Sequence, residues 1–246
     1  GLVRAVHDSD GEFAFVHALT REAVLTGMAA SRLRVMHARA GEALEGRGDP
    51  ALAPRLANHY LRAHVLDRLG MRDSTLEQDP ALAGLSKGYR GGREGRLYPL
   101  RPISAGGLNA SARELALFVE MLLAEGEGRR GRLLRPETLA AMFTRQNGDG
   151  PRDFELEQGL GFALGSKRLA YAGPVVSHTG GIVYFRSILV AMPEQRLGVV
   201  VLANSNDVDR DDLLGEIAVR ALRLAVETKF GVRPPEPDER DLPAAR

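Results

Sequence analysis

Cysteine is absent from the 246 residues, and so is tryptophan. Without Cys, disulfides, thiolate nucleophiles and Cys-ligated metal are excluded, although the redox compartment is not thereby fixed. Aromatic residues make up only 5%, so a core has to be built mostly from Leu, Val and Ala. Charge of one sign is also lacking: 33 basic and 32 acidic side chains leave a net +1. That balance gives no electrostatic reason to expect nucleic acid or an anionic membrane as partner. No apolar run approaches the roughly 18 residues of a membrane span. No Walker A motif occurs and no His-Glu-x-x-His, and His59 and His64 are five apart rather than the four that would align two imidazoles. No nucleotide, metal or other cofactor is therefore expected. The chain opens at Gly1 without a basic-then-apolar leader, which leaves the compartment open, cytoplasmic by default.

What is present reads as two halves of an ordinary globular composition, 44% hydrophobic and 26% charged. In residues 1–63, alternating Phe13, Phe15 and His17 suggest a short extended segment, and His17 among them reads as structural. Leu19 to Leu25 and Ser31 to Leu44 carry apolar residues at helical spacing, with Leu33, Met36, Ala40 and Leu44 as the stripe. Gly46 to Pro50 ends that helix and Leu52 to Leu61 begins another. Residues 64–107 are rich in Gly, Arg and Pro and read as loop. Beyond them, Ser111 with Glu114 forms a capping-box pattern ahead of Leu115, Phe118, Val119, Leu122 and Leu123. Pro136 suits the first turn of a short helix. Gly161 to Leu164, Tyr184 to Ala191 and Leu197 to Ala203 are strand-like, and the short link through Pro193-Glu194-Gln195-Arg196 between the last two requires an antiparallel hairpin. Asp211 to Thr228 reads as a helix packing on that hairpin through Leu213, Leu214, Ile217, Ala221 and Leu224. Residues 231–246 are Pro- and charge-rich and read as a disordered tail. The fold class expected is α+β: a helical N-terminal arm, then a partial antiparallel sheet with packed helices.

Two stretches carry candidate chemistry. Gly84-Leu85-Ser86-Lys87-Gly88 matches the letters of the Gly-x-Ser-x-Gly nucleophile elbow. That motif needs a strand before it and a helix after it. Here Asp79-Pro80 precedes and a Gly/Arg stretch follows, so Ser86 is a weak candidate nucleophile. Ser177-His178-Thr179-Gly180-Gly181 opens a strand with two glycines that permit close backbone approach. It reads either as a substrate-facing edge, with the Gly181 N–H as an oxyanion donor, or as a plain glycine-rich turn.

The order of segments in the second half favours the first reading. His64 to Thr75, containing Leu69-Gly70-Met71-Arg72-Asp73-Ser74, resembles the "LGM-x-D-T" segment of the serine β-lactamase and penicillin-binding superfamily, especially its class C-like esterases and D-aminopeptidases. Ser104 to Leu108 with Ala112 to Ala116, then Leu133-Leu134 with Glu137 and Met142, Gly159 to Phe162, His178 to Gly181 and Val200 to Asn204 continue it in order. The resemblance covers about residues 64–228. It implies acylation of a Ser in Ser-x-x-Lys, proton handling by that Lys and by the Tyr of a Tyr-x-Asn, and a third motif on a strand. His178, Thr179 and Gly180 match that third motif, with Gly181 supplying an oxyanion-hole N–H. None of the ten Ser has Lys three residues on, and none of the five Tyr has Asn two residues on. Residues 1–63, with Phe13-Ala14-Phe15-Val16-His17-Ala18-Leu19-Thr20-Arg21-Glu22, are similar instead to a helical segment of STAND-class signal-transduction ATPases.

These resemblances imply three parts: an arm at 1–63, the C-terminal part of a hydrolase domain at 64–230, and a tail at 231–246. They imply a serine hydrolase by descent that cannot turn over alone. The alternative is a non-catalytic binding or regulatory module, or a chimeric fragment. Its ligand would be a small acyl or peptide group, and a protein partner would cover an incomplete sheet.

Overall fold

The computed structural model describes residues 3–5, 13–15, 30–46, 53–76, 82, 84–98, 106–146 and 157–235. Leu19 to Leu25, the two ends of the Gly46 to Pro50 turn apart from Gly46, and most of the C-terminal tail lie outside them. The chain divides into two compact units, Gly1–Asp67 and Arg68–Arg246.

In the first unit β1 (Val3–Ala5) pairs antiparallel with β2 (Phe13–Phe15), with Val3 opposite Phe15. Two helices follow, α1 (Ala30–Glu45) and α2 (Ala53–Leu61), the latter continued by a π-helical turn over Arg62–Leu66. Of the expected Leu33–Met36–Ala40–Leu44 stripe, the side chains of Leu33 and Leu44 lie outside the described residues. Met36 is about half exposed at 49%. The contacts described between the two helices fall on His37, Gly41 and Glu45. His37 Nδ1 lies 2.8 Å from His59 Nδ1, the Tyr60 ring occupies the space a side chain at Gly41 would need, and the Tyr60 hydroxyl donates to Glu45 Oε2 at 2.5 Å. Gly41 permits the aromatic ring to close against the α1 backbone.

The second unit is built on a five-stranded antiparallel sheet. Its strands are β7 (Glu157–Gln158), β8 (Ala163–Leu164), β9 (Val176–Gly181), β10 (Arg186–Met192) and β11 (Leu197–Ala203), in the order β11-β10-β9-β8-β7. The β10–β11 hairpin forms as its spacing requires, Arg186 opposite Ala203 and Met192 opposite Leu197. Arg196 closes the turn at φ 51. On one face of the sheet lies α5 (Leu213–Phe230), and Leu169, Val175, Val190 and Met192 pack with its Ala218, Val219, Leu222 and Val226. The buried residues of α5 are Leu214, Gly215, Ala218, Val219, Leu222 and Val226, spaced by three and four. Leu213, Ile217 and Leu224 of the expected stripe are exposed. The opposite face is covered by α3 (Ala112–Leu123), whose Val119 fills the space above Gly198 of β11. Small helix α4 (Pro136–Met142) begins with Pro136 as expected.

Two elements went unseen in the sequence. Residues 64–107 contain a hairpin, β3 (Gly88–Arg90) and β4 (Arg93–Gly95), closed by Gly91-Gly92 with φ of 57° and 72°. Two residues at positive φ make the tight turn whose twist matches the strands, and a Gly-Gly pair supplies it without a Cβ penalty. A second hairpin, β5 (Glu127–Gly128) with β6 (Gly131–Arg132), carries Gly126-Glu127-Gly128-Arg129-Arg130-Gly131. Those letters spell the Gly-x-Gly-x-x-Gly of dinucleotide-binding loops. They sit in a β-turn after α3 rather than between a strand and a helix, so the context of a phosphate loop is absent.

Candidate functional site

β9 places the four candidate residues on one strand. Its inner side is paired with β10 throughout: His178 faces Leu189, Thr179 faces Ile188, Gly180 faces Ser187 and Gly181 faces Arg186. Its outer side is paired with β8 only at Val176 and Ser177. From His178 to Gly181 no described strand occupies that outer side. This half of the strand is therefore an open sheet edge, exposed at His178, Thr179 and Gly181.

Directly opposed residues share a face. Thr179 lies on the α5 side with Ile188, which packs against the core there. His178 and Gly180 lie on the α3 side. The two side chains of the motif thus leave the sheet in opposite directions, and what they have in common is the backbone edge. At Gly180 a Cβ would meet Ser187 Oγ, which a turn about that one side-chain bond clears. Gly181 has no such restriction, since a Cβ would rest 3.6 Å from the Arg186 side chain.

The end of the site is fixed by Arg186. Its guanidinium grips the Asp209 carboxylate with two bonds of 2.6 Å and donates to the carbonyls of Ile182 and Phe185, at 2.5 and 2.9 Å. This ties the β9–β10 turn to the segment after β11. The same guanidinium holds the Asp209 carboxyl below its ordinary range, chiefly through those hydrogen bonds. In the turn, Tyr184 lies across Gly88 and Gly95, which face each other in the β3–β4 hairpin. Neither position leaves room for a side chain beneath the ring. The hairpin tip is held from the other end, where Gly91 N–H donates to both Asp207 carboxylate oxygens at 3.1 and 2.8 Å.

Ser86 stands at the foot of this hairpin, exposed and followed directly by β3, without the strand–turn–helix of a nucleophile elbow. Its hydroxyl receives a bond from Asn204 Nδ2 at 3.3 Å and makes a weak one to its neighbour's carbonyl at 3.4 Å. No described hydrogen bond links it to His178–Gly181. Lys87 Nζ is paired with Glu94 at 2.8 Å, and that bond raises the Lys87 pKa. A lysine base must be neutral to accept a proton, so this environment works against activation of Ser86.

The recurring segments noted in the sequence meet in space. Glu114 of α3 is buried and accepts from Asp73 N–H at 3.0 Å and from the Ser74 hydroxyl at 2.5 Å. Ser111 caps α3 by accepting from Glu114 N–H at 3.2 Å. The reciprocal half of the expected capping box is thus redirected, with the Glu114 carboxylate holding the Leu69-Gly70-Met71 segment. Asn109 and Thr75 exchange backbone bonds beside it at 2.8 and 3.0 Å. Among the described residues no group of three or more potential metal ligands occurs, and no helix is long and apolar enough to cross a membrane.

Comparison with known proteins agrees with this geometry. A family model described as Beta-lactamase matches residues 51–223. The fold is similar to that of an octameric penicillin-binding protein homologue from Pyrococcus abyssi, at 24% identity over 69% of this chain and 37% of that one, with a TM-score of 0.54. It is also similar to a class C beta-lactamase, at 18% identity over 67% of this chain and 50% of that one, TM-score 0.53. A class C beta-lactamase in complex with cefoxitin matches at 18% identity over 67% and 52%, TM-score 0.54. The chain spans between about a third and a half of the length of these solved relatives. No match was found among curated proteins. The family match starts at residue 51, inside the segment that resembles STAND ATPases, and that second resemblance gains no support from these similarities.

Proposed function

The chain belongs to the beta-lactamase family, a serine-hydrolase-like family, and from that membership we propose that it is a ligand-binding part of such a hydrolase that does not turn over by itself. The observation that carries the reading is the open outer side of β9 from His178 to Gly181. An extended acyl-amide or peptide can add to a sheet edge through backbone hydrogen bonds, with side chains selecting on either face. His178 and Gly180 would line one face of that ligand and Thr179 the other, while the Gly181 N–H would serve as a donor to its carbonyl oxygen.

Turnover would need a nucleophile and a base, and neither Ser-x-x-Lys nor Tyr-x-Asn occurs in these 246 residues. Loss of a catalytic nucleophile costs on the order of a million-fold in kcat. The pairing of Lys87 with Glu94 argues against Ser86 as a substitute. Residues 1–63 are proposed as a helical arm, the last part of which, from residue 51, lies within the family match.

Intact-mass measurement after exposure to a fluorophosphonate and to a penicillin tests this reading. The expected result is an unmodified mass from folded protein, with saturable binding of a peptide or β-lactam that perturbs His178–Gly181 amides. A stoichiometric adduct on Ser86 would replace it with a rewired hydrolase.

A further inference from the structure

β11 ends the sheet, and no described strand lies beyond it. Which of its backbone groups face outward follows from the turn at the other end of β10. Ile182 and Phe185 exchange both backbone bonds there, so the odd-numbered residues of β10 turn to β9 and the even-numbered ones to β11. By the same alternation Leu197, Val199, Val201 and Ala203 bond β10, while Gly198, Val200 and Leu202 point their N–H and C=O groups outward. Among the described residues these outward groups have no hydrogen-bond partner. The open run is bounded at both ends. The Asn204 carbonyl is taken by Tyr89 N–H at 2.8 Å, and the chain turns away at Arg196 with φ 51.

α5 lies over β10 and β11, packing on Val190 and Met192 of one and on Leu197, Val199 and Val201 of the other. One of its flanks is fixed by the link between β8 and β9, where Glu216 takes the Arg168 guanidinium and Arg223 donates to the Arg168 carbonyl. The opposite flank, carrying Ile217, Ala221 and Leu224, therefore turns to the β11 side. All three are exposed and uncharged.

We infer that the β11 edge and this flank of α5 form one docking surface, and that its occupant is a second copy of this chain, related by a two-fold axis through Val200. The open run spans Leu197–Ala203, and the strand that fills it without meeting Tyr89 is the same Leu197–Ala203 running antiparallel. Val200 then pairs with Val200, and Gly198 of each copy with Leu202 of the other, each pair exchanging two backbone bonds. A two-fold axis sets a patch against itself, so any charge on it would oppose its like. β11 carries none. Beyond the strand, Arg196 of each copy is exposed and without an ion pair among the described residues. It comes to the Asn204–Asp207 end of the other copy, where the charge is opposite. The helices fit the same arrangement. With strands about 4.8 Å apart, an α5 lying over the gap between β10 and β11 stands about 5 Å from the axis, so the two α5 helices run antiparallel about 10 Å apart, a packing distance for helices. The other open edge is limited to His178–Gly181 and is too short to fill the run. The inference is independent of the hydrolase reading, since no residue of β9 takes part.

Sedimentation equilibrium of the full chain over a wide concentration range tests it, with single cysteines as reporters of register, since the chain has none of its own. The expected result is a monomer–dimer equilibrium with nothing larger. Ile217→Glu, at an exposed position, should weaken the dimer by about tenfold or more. Leu160→Glu, equally exposed but beside β7 at the other side of the sheet, should leave it unchanged. Val200→Cys places two Cα atoms about 5.5 Å apart across the axis, within reach of a disulfide, and mild oxidation should join two chains. Leu202→Cys, with its two copies roughly 14 Å apart along the strands, should not cross-link. A monomer at every concentration overturns the inference. So does a folded Ile217→Glu protein that dimerises as tightly as the parent, or cross-linking through Leu202→Cys in place of Val200→Cys. Growth beyond the dimer overturns it too, since that requires two different surfaces joined head to tail.

Discussion

At the scale of single residues, the two glycines of the wall differ in what they permit. A methyl group at Gly180 displaces Ser187 Oγ, while Gly181 has ordinary clearance to Arg186. Gly180→Ala is expected to destabilise the second unit by about 1 kcal/mol, the order of moving Ser187 off its rotamer. Gly181→Ala should stay within about 0.5 kcal/mol, the range of a surface change. Parallel urea titrations followed by circular dichroism would separate them, and equal losses would show that the Ser187 contact does not set the strand's position. Glu114 is the buried acceptor for Asp73 N–H and the Ser74 hydroxyl. Glu114→Ala strands those donors and should cost about 2–3 kcal/mol. A midpoint unchanged from the parent would mean that water replaces the carboxylate without loss.

At the scale of elements, Tyr184 joins the β9–β10 turn to the β3–β4 hairpin by covering Gly88 and Gly95. A hairpin of two three-residue strands is marginal without such a cover. Tyr184→Ala should therefore raise amide exchange across residues 88–95 while β10 and β11 keep their protection. Retained protection at Tyr89 would assign the hairpin's stability to Asn204 and Asp207 instead. The other tie between elements is ionic. Arg186 lowers the pKa of Asp209, and Arg168, through bonds of 2.6 and 2.8 Å, lowers that of Glu216. A carboxylate whose folded pKa is depressed contributes stability above its unfolded pKa and loses it as pH falls through the folded value. From unfolded values of about 4, the contribution is complete near neutrality and fades as pH drops below about 4. Both carboxylates are about half exposed, so added salt should shrink the effect. Thermal scans from pH 7 to 3 should show a shallower acid loss in an Asp209→Asn, Glu216→Gln protein than in the parent. Parallel curves would deny these pairs a part in acid sensitivity.

At the scale of the whole molecule, the open sheet edges matter most. β11 is seven residues long, carries no charged side chain and ends the sheet, its outer side without a described partner strand. An apolar edge without charges or proline is a template for pairing with another chain. Leu213, Ile217 and Leu224 of α5 stand exposed in the same unit. The chain also covers only 37% to 52% of its solved relatives. Concentration-dependent association is expected in sedimentation, and Val200→Lys on the edge strand should reduce it. A single non-associating species in the unaltered protein would show that the edge is protected.

Much of the second unit was legible because its signals are local. Ser111 three residues ahead of Glu114, Pro136 at a helix start, and a four-residue link between two β-branched runs each demand one backbone outcome. The ordered family segments, from Leu69-Gly70-Met71 to His178-Thr179-Gly180-Gly181, were legible for the same reason. The β3–β4 hairpin had its own signal in Gly91-Gly92, obscured by the glycines and arginines around it. Other features required the folded chain. Apolar spacing placed α5 correctly but left most of its buried face one position off, because Leu213, Ile217 and Leu224 lie beside an equally apolar Leu214, Ala218 and Leu222 and only the partner surface chooses between them. Ser177-His178-Thr179-Gly180-Gly181 could be read as a strand edge or a turn; pairing with β10, and β8 stopping at Ser177, made it an open edge. The meeting of His37 with His59, and of Glu114 with Ser74, belongs to tertiary structure alone, since each joins residues at least 22 positions apart with no periodicity between them.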